Sequence, residues 1–190
     1  MNVLVLYDTS DFGILPETRL TIGFSEPVLK NFSFVTLPVQ KIPPRNRDQV
    51  IREYIDKTDF ISVGVGTYTF MRPWMHFTAV YGFTKNRPMM AGNNAFVPDG
   101  WSHEIVNGPN PFSRVKWQIQ GQNIRLYVLD NVLDVIWQPR AVIPRKSVRY
   151  RFEGDTGLLS EIAPMYDWVP GNVQDNLFNW VNTSIWLAGL

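Results

Sequence analysis

Two short segments of the chain are apolar at almost every position, and they constrain the fold more than any other sequence feature. Val3–Tyr7 reads Val-Leu-Val-Leu-Tyr, and Asp59–Gly66 carries a second such run that ends in glycine. A strand that is apolar on both faces is typical of the centre of a parallel sheet, because helices cover such a sheet on both sides. These segments therefore predict central strands of an α/β fold.

The neighbouring segments predict the helices and further strands of the same sheet. Asp48–Lys57 has apolar residues at helical spacing, and Pro73 suits the first turn of a second helix that runs to about Lys85. Phe32–Leu37 and Pro88–Ala91 predict two more strands. Strands that alternate with helices are typical of a parallel sheet with right-handed crossovers.

The second half of the chain has a different pattern. Asn93 to Pro111 is loop-rich, and Asp130-Asn131 predicts a hairpin turn because that dipeptide tolerates positive φ. Val173–Leu187 predicts an amphipathic closing helix. The apolar face of that helix is predicted to carry Leu177, Trp180, Val181 and Trp186. Four β segments are predicted, at Val115–Ile119, Ile124–Leu129, Val132–Trp137 and Ser147–Phe152. We therefore expect one α/β domain over residues 1–190, with β additions in its C-terminal half.

The composition excludes several classes of site and partner. The 190 residues carry a net charge of +1 and no cysteine, so there is no disulfide framework, thiol nucleophile or zinc–thiolate site. The charge gives no electrostatic case for nucleic acid or an anionic membrane. No apolar run reaches the length of a membrane span and no signal-peptide pattern is present, so a cytoplasmic location is expected. The aromatic content of 14% predicts apolar surface for a protein partner or a homo-oligomer.

Three groups of residues occur in an order that resembles a known family. Asp59–Gly66 is followed by a threonine turn and a tryptophan, and the two later groups are a Gly-Pro-Asn-Pro-Phe loop and a Tyr-Asp-Trp-Val segment. In order, the residues are Thr69-Phe70-x-Arg72-x-Trp74, Gly108–Phe112, and Tyr166–Val169 with Asn176, Trp180, Val181 and Asn182. Over about residues 48–182 the chain resembles the TIR-like proteins of Thoeris anti-phage systems, whereas residues 13–41 match poorly.

The resemblance implies a flavodoxin-like TIR fold: a central parallel sheet flanked by helices. In active members it also implies cleavage of the nicotinamide–ribose bond of NAD, with ADP-ribose or a cyclic isomer as the product. NAD or an ADP-ribose derivative is therefore the implied ligand. No other cofactor and no metal ion are expected.

The chain departs from the family most importantly at the catalytic glutamate. The resemblance places that glutamate four residues beyond Trp74, where this chain has Thr78. A carboxylate stabilises the ribosyl cation that forms as nicotinamide leaves, and a neutral hydroxyl does not. Residues 60–98 contain neither Asp nor Glu. We therefore expect loss of NAD hydrolysis. A replacement carboxylate would come from a distant segment, with Asp8, Asp11 and Glu104 as candidates.

Asp8 and Asp11 follow the first strand, where open parallel sheets bind ligands, so they are candidates for contact with a ribose or a metal. The alternative is that they cap a turn. Gly64-x-Gly66-Thr67 offers backbone amides to a phosphate, although two glycines also suit tight packing at a strand end.

Arg72 and Trp74 are candidates for pairing a phosphate and stacking a base, unless Trp74 is a core residue. His76 is interpreted as a surface or partly buried histidine rather than a base, because no acid lies near it in sequence. The basic stretch from Arg140 to Phe152 is interpreted as a solvated face, with a nucleotide or acidic partner as the alternative.

Three functions remain open. The first is a degenerate TIR-like domain that binds a nucleotide, an ADP-ribose-type signal or a protein without hydrolysing NAD. The second is an active enzyme of the same family with a relocated carboxylate. The third is a structural or assembly protein, cellular or viral, that reuses the fold for an interface.

Overall fold

The computed structural model describes residues 1–8, 32–93, 108–130, 136–168 and 170–190, and for residues 170–174 it describes the backbone only. Asp11, His103 and Glu104 lie outside these ranges, as does Asn131 of the predicted hairpin turn. The outcome of those predictions is therefore not decided by the fold.

A five-stranded parallel sheet forms the centre of the molecule. Its strands are β1 (Asn2–Tyr7), β2 (Ser33–Pro38), β3 (Phe60–Val65), β4 (Met89–Asn93) and β9 (Met165–Asp167). Strands β5 to β8 belong to a second sheet, described below. The strand order is β2-β1-β3-β4-β9, and every neighbouring pair is parallel. This is the order of a flavodoxin-like sheet, with its topological switch point between β1 and β3. The predicted fold class is confirmed.

Helices cover both faces of this sheet, as the doubly apolar strands require. Helices α1 (Arg47–Lys57) and α2 (Pro73–Thr84) pack on the face that carries Leu4, Leu6 and Val63. Helix α3 (Pro170–Leu187) packs on the opposite face, where Val3, Val5, Met90, Trp168, Leu177 and Val181 form a second buried cluster. Among the described helices, none combines the length and apolar character needed to cross a membrane.

A second, antiparallel sheet is built from β5 (Val115–Gln120), β6 (Asn123–Leu129), β7 (Trp137–Pro144) and β8 (Thr156–Leu158), in the order β7-β6-β5-β8. Its inner residues join the cluster that α1 and α2 cover. Trp117 of β5 packs 4.4 Å from the ring of Phe152, and Phe83 of α2 stacks at 4.8 Å on Tyr150. The two sheets therefore share one core through α2.

One of the predicted β segments is wrong, and a second lies mostly outside the described residues. Ser147–Phe152 forms no strand: Val148 and Phe152 pack singly against the core from irregular chain that follows a short 3-10 turn. Of the predicted strand Val132–Trp137, residues 132–135 lie outside the described residues, and Trp137 begins β7, which continues to Pro144. β7 includes two prolines, which it tolerates because it lies at the edge of its sheet.

The predicted apolar face of α3 is correct at two positions and wrong at one. Leu177 and Val181 are buried at 3% exposure each, and Trp180 is half-buried against Tyr166. Trp186, however, is 55% exposed. The helix therefore turns one of its largest apolar side chains to solvent.

Candidate functional site

The carboxyl edge of the parallel sheet brings several of the predicted site residues together. In the register, Leu6 pairs with Val63, Val65 pairs with Asn93, and Asn93 pairs with Asp167. Asp8 follows β1 directly and so comes level with Val65. Because partners in register point to the same side of a sheet, Asp8 and Asn93 lie on the face covered by α1 and α2. Ligands of open α/β sheets bind at this edge.

Asp8 is buried, at 6% exposure, at the end of β1. Its carboxylate therefore lies at the switch point between β1 and β3, where open α/β sheets bind ligands. Its predicted companion, Asp11, lies outside the described residues.

The turn after β3 is closed by its own hydrogen bonds. The Gly66 N–H donates to the Thr69 hydroxyl at 2.9 Å, and the Thr69 N–H donates back to the Gly66 carbonyl at 3.3 Å. The Gly66 amide that the sequence offered to a phosphate is therefore already used within the chain. Thr67 lies in the same turn and is half-buried.

The Gly-Pro-Asn-Pro-Phe loop packs directly on this turn. A Cβ atom added at Gly108 would lie 2.2 Å from the Gly66 carbonyl oxygen, so only glycine fits there. Within the loop, the Asn110 side chain accepts a hydrogen bond from the Phe112 N–H and donates one to the Ala163 carbonyl. Two of the segments that carry the family resemblance thus meet at the end of β3.

Helix α2 starts at the carboxyl edge and runs back along the sheet. A Cβ at Gly82 would contact Ile61 and Met89, near the start of β3 and β4. Trp74 lies eight residues earlier, about 12 Å toward the carboxyl edge at about 1.5 Å per residue. Arg72 immediately precedes the helix in extended conformation and is half-buried. The first turn of α2 therefore lies level with the ends of the strands.

The Trp74 ring is a core residue, at 1% exposure, and presents no open face for stacking a base. The sequence had left this alternative open. Its indole Nε1 is buried and has no hydrogen-bond acceptor among the described residues. This orphan donor lies in the first turn of α2, beside the sheet edge.

Thr78, which the family resemblance implies at the glutamate position, is fully buried. Its hydroxyl donates to the Trp74 carbonyl at 2.8 Å, one turn earlier in the same helix. The side chain is therefore satisfied within α2, and it faces the core rather than solvent. None of the residues of α2 is acidic.

Asn93 is a candidate site residue that the sequence analysis missed. It ends β4, is 4% exposed, and its side-chain Oδ1 has no donor among the described residues. Buried polar atoms are almost always hydrogen-bonded, so an orphan acceptor in a native structure needs an explanation. No motif marks this asparagine. Its position at the end of a buried strand is the signal that could have found it.

His76 is more buried than the surface or partly buried position that the sequence predicted. It is 8% exposed, and its Nε2 is 2.9 Å from the Phe70 carbonyl. Burial lowers the pKa of His76, and Arg114 and Arg140 lower it further. A neutral ring that donates to Phe70 holds the turn before α2 in place.

A cleft of about 450 Å³ lies on the outer side of α2. Its lining comes from α2, from the start of α1 and from the β6–β7 hairpin, and includes His76, Phe77, Tyr81 and Arg140. None of the predicted nucleotide-binding residues that the structure describes lines it. Across the described residues, no three His, Asp or Glu side chains group as a metal site would require.

Comparison with known proteins gives one informative relative. No family model matches the chain. It is 23% identical over 141 residues to a Bacillus cereus (strain MSX-D12) protein named "Putative cyclic ADP-D-ribose synthase ThsB1", and the match covers 70% of this chain and 71% of that protein. The similarity supports the ThsB-like relationship that the motifs indicated.

Proposed function

We propose that this chain is a ThsB-like TIR domain that binds NAD or an ADP-ribose derivative at the carboxyl edge of its parallel sheet and does not hydrolyse NAD. One observation carries the binding proposal. Two buried polar atoms at that edge, the Asn93 Oδ1 acceptor and the Trp74 Nε1 donor, have no partner among the described residues. A ligand that offers both donors and acceptors would satisfy them.

A nucleotide with a ribose and phosphates suits the groups around these atoms. Ribose hydroxyls would donate to Asn93 Oδ1 and to the buried Asp8 carboxylate, and a ligand oxygen or ring nitrogen would accept from Trp74 Nε1. Arg72, at the start of α2, would pair a phosphate. The Gly66 amide takes no part, because Thr69 already occupies it.

The lack of hydrolysis is proposed from Thr78. A buried threonine whose hydroxyl is bonded to its own helix stabilises no ribosyl cation. The ligand would therefore be held intact. The chain would then act by binding a signal rather than by making one.

Binding is tested with ADP-ribose, which has no nicotinamide to lose and so separates binding from turnover. Isothermal titration calorimetry should show binding by the native chain, and Asn93→Leu should weaken it by about tenfold or more, the equivalent of one lost hydrogen bond. Asn123→Leu, in an exposed position at the start of β6, is the matched control and should bind as the native chain does.

Asn93→Leu also distinguishes a ligand site from a structural role. Since the native Oδ1 is buried without a donor, replacing it by an apolar side chain of similar size should leave the free energy of unfolding unchanged or raise it. Weakened binding together with unreduced stability supports the proposal. Absence of any heat of binding for the native chain would overturn it.

A second candidate function is an active enzyme in which Asp8 replaces the missing glutamate. The observation that favours it is the burial of this carboxylate at the sheet edge, and the relative's name as a cyclic ADP-D-ribose synthase agrees with it. Under this candidate, the native chain releases nicotinamide from NAD, Asp8→Asn abolishes the release, and Asp48→Asn on the exposed surface of α1 does not.

A further inference from the structure

The outward surface of α3 is unusually poor in charge and rich in exposed apolar side chains. From Pro170 to Leu190 the only charged residue is Asp175. Phe178, Trp186 and Leu190 are each more than half exposed, at 52%, 55% and 53%. A surface helix ordinarily turns charged and polar residues to solvent, so this face needs an explanation.

The exposed residues form a stripe with a symmetric order. Leu177, Val181 and Ser184 point inward and are buried. On the outside, Phe178, Asn182 and Trp186 recur every four residues and so lie one above the other on the helix. Asn182 lies midway, with one large aromatic side chain about 6 Å along the helix axis on each side.

This order is self-complementary under a two-fold axis. If two copies of α3 pack antiparallel with the axis at Asn182, Phe178 of each copy meets Trp186 of the other. The two Asn182 amides then face one another and can exchange hydrogen bonds, because an amide has both a donor and an acceptor. An interface that a two-fold axis generates requires one patch that fits itself.

The charges at the two ends of α3 fit the same arrangement. Arg151 is fixed at the carboxyl end: its N–H donates to the Leu187 carbonyl at 2.9 Å, its Nε donates to the Trp186 carbonyl at 2.9 Å, and its guanidinium lies 4.7 Å from the centre of the Trp186 ring. Asp175 lies seven residues before Asn182. In the antiparallel pair it therefore comes level with position 189 of the other copy, which lies seven residues after Asn182. The antiparallel pairing therefore brings Asp175 of one copy to the end of the helix where Arg151 of the other lies.

We propose that the outer face of α3 is a self-association surface that forms a two-fold symmetric dimer of this chain, centred on Asn182. This pairing requires neither nucleotide binding nor the loss of NAD hydrolysis. An 18-residue helix is about 27 Å long and about 10 Å wide. Its footprint, on the order of 300 Å², is smaller than the about 800 Å² per partner of a standard interface. The dimer is therefore expected to be weak and concentration-dependent.

Analytical ultracentrifugation from micromolar to several hundred micromolar protein tests the association. The native chain should shift from monomer toward dimer with concentration, and Phe178→Asp or Trp186→Asp should stay monomeric over the same range. Val142→Asp is the matched control, because Val142 is 60% exposed on β7, away from α3, and should dimerise as the native chain does. A native chain that is monomeric throughout would overturn the proposal.

Cysteine cross-linking tests the position of the axis, and the chain is suited to it because it has no cysteine of its own. A disulfide requires two Cα atoms within about 7 Å, which only a residue at the axis meets with its own copy. Asn182→Cys should give a covalent dimer on mild oxidation. Phe178→Cys, about 12 Å from its own copy along the helix axis, and Val142→Cys should not. Cross-linking of Asn182→Cys at no more than the level of Val142→Cys would overturn the proposed pairing.

Discussion

Substituting Thr78→Glu, which introduces a carboxylate where the family resemblance implies one, is predicted to destabilise the chain without producing NAD hydrolysis. Thr78 is fully buried and its hydroxyl is bonded within α2. A glutamate there adds volume to a packed core, which costs about 1–3 kcal/mol. It also buries a carboxyl without a prepared partner, which costs about 1–3 kcal/mol more. The sum, about 2–6 kcal/mol, is a large part of the about 5–15 kcal/mol of a typical domain.

The charge of the new side chain makes part of this loss pH-dependent. Burial raises the pKa of the introduced Glu above its unfolded value of about 4.3. Between those two pKa values the folded state binds more protons than the unfolded state, so the free energy of unfolding falls as pH rises, by up to about 1.4 kcal/mol per pH unit. The variant should therefore be least stable at neutral and alkaline pH.

Urea unfolding of Thr78→Glu and Thr78→Gln at about pH 5 and about pH 8 measures both effects. The two variants have nearly the same size, so the difference between them isolates the charge. Glu should lose stability relative to Gln between the two pH values. A Thr78→Glu variant as stable as the native chain at about pH 8, with nicotinamide released from NAD, would show that position 78 faces an open catalytic pocket and would refute the reasoning.

Three further predictions follow from the described contacts. His76→Gln should reduce the loss of stability on acidification below about pH 6.5, because burial lowers the pKa of His76 and the unfolded chain therefore binds the proton first; urea unfolding as a function of pH measures it. Gly108→Ala should cost about 1–3 kcal/mol, because the added Cβ would lie 2.2 Å from the Gly66 carbonyl oxygen; an unchanged unfolding midpoint would contradict that packing. Trp117→Ala should cost about 3–5 kcal/mol and unfold both sheets in one transition, since the fully buried Trp117 belongs to the core that they share; two separate transitions by circular dichroism and fluorescence would argue for two cores.

The sequence predicts the central sheet well because its strands are buried on both faces. Val3–Tyr7 and Asp59–Gly66 have no polar alternation, and only a sheet covered by helices accommodates such runs. β9 could not be predicted, since its three residues, Met165–Asp167, are too few to show a period. The part of β7 beyond Trp137 was not predicted, because its prolines oppose a strand in isolation, and the edge position that tolerates them is a property of the fold.

The candidate site was predictable only in part, because some of its features depend on tertiary contacts that the sequence does not show. Asp8 and Arg72 follow from their position at strand and helix ends. The hydrogen bond from the Gly66 N–H to Thr69, which makes this amide unavailable to a phosphate, is a detail of how one turn folds. The lack of a donor for Asn93 Oδ1 depends on the residues that surround it in the fold rather than on its neighbours in sequence. Trp186 was predicted on the buried apolar face of α3, because the sequence pattern does not show which apolar side chains of the helix pack on the sheet.

Equilibrium dialysis of the chain against NAD, followed by mass spectrometry of both compartments, tests the central proposal most directly. The proposal predicts that NAD is retained intact by the protein, that free nicotinamide does not exceed a protein-free blank, and that Asn93→Leu lowers the retention. Release of nicotinamide above the blank, or no retention of NAD by the native chain, would contradict it.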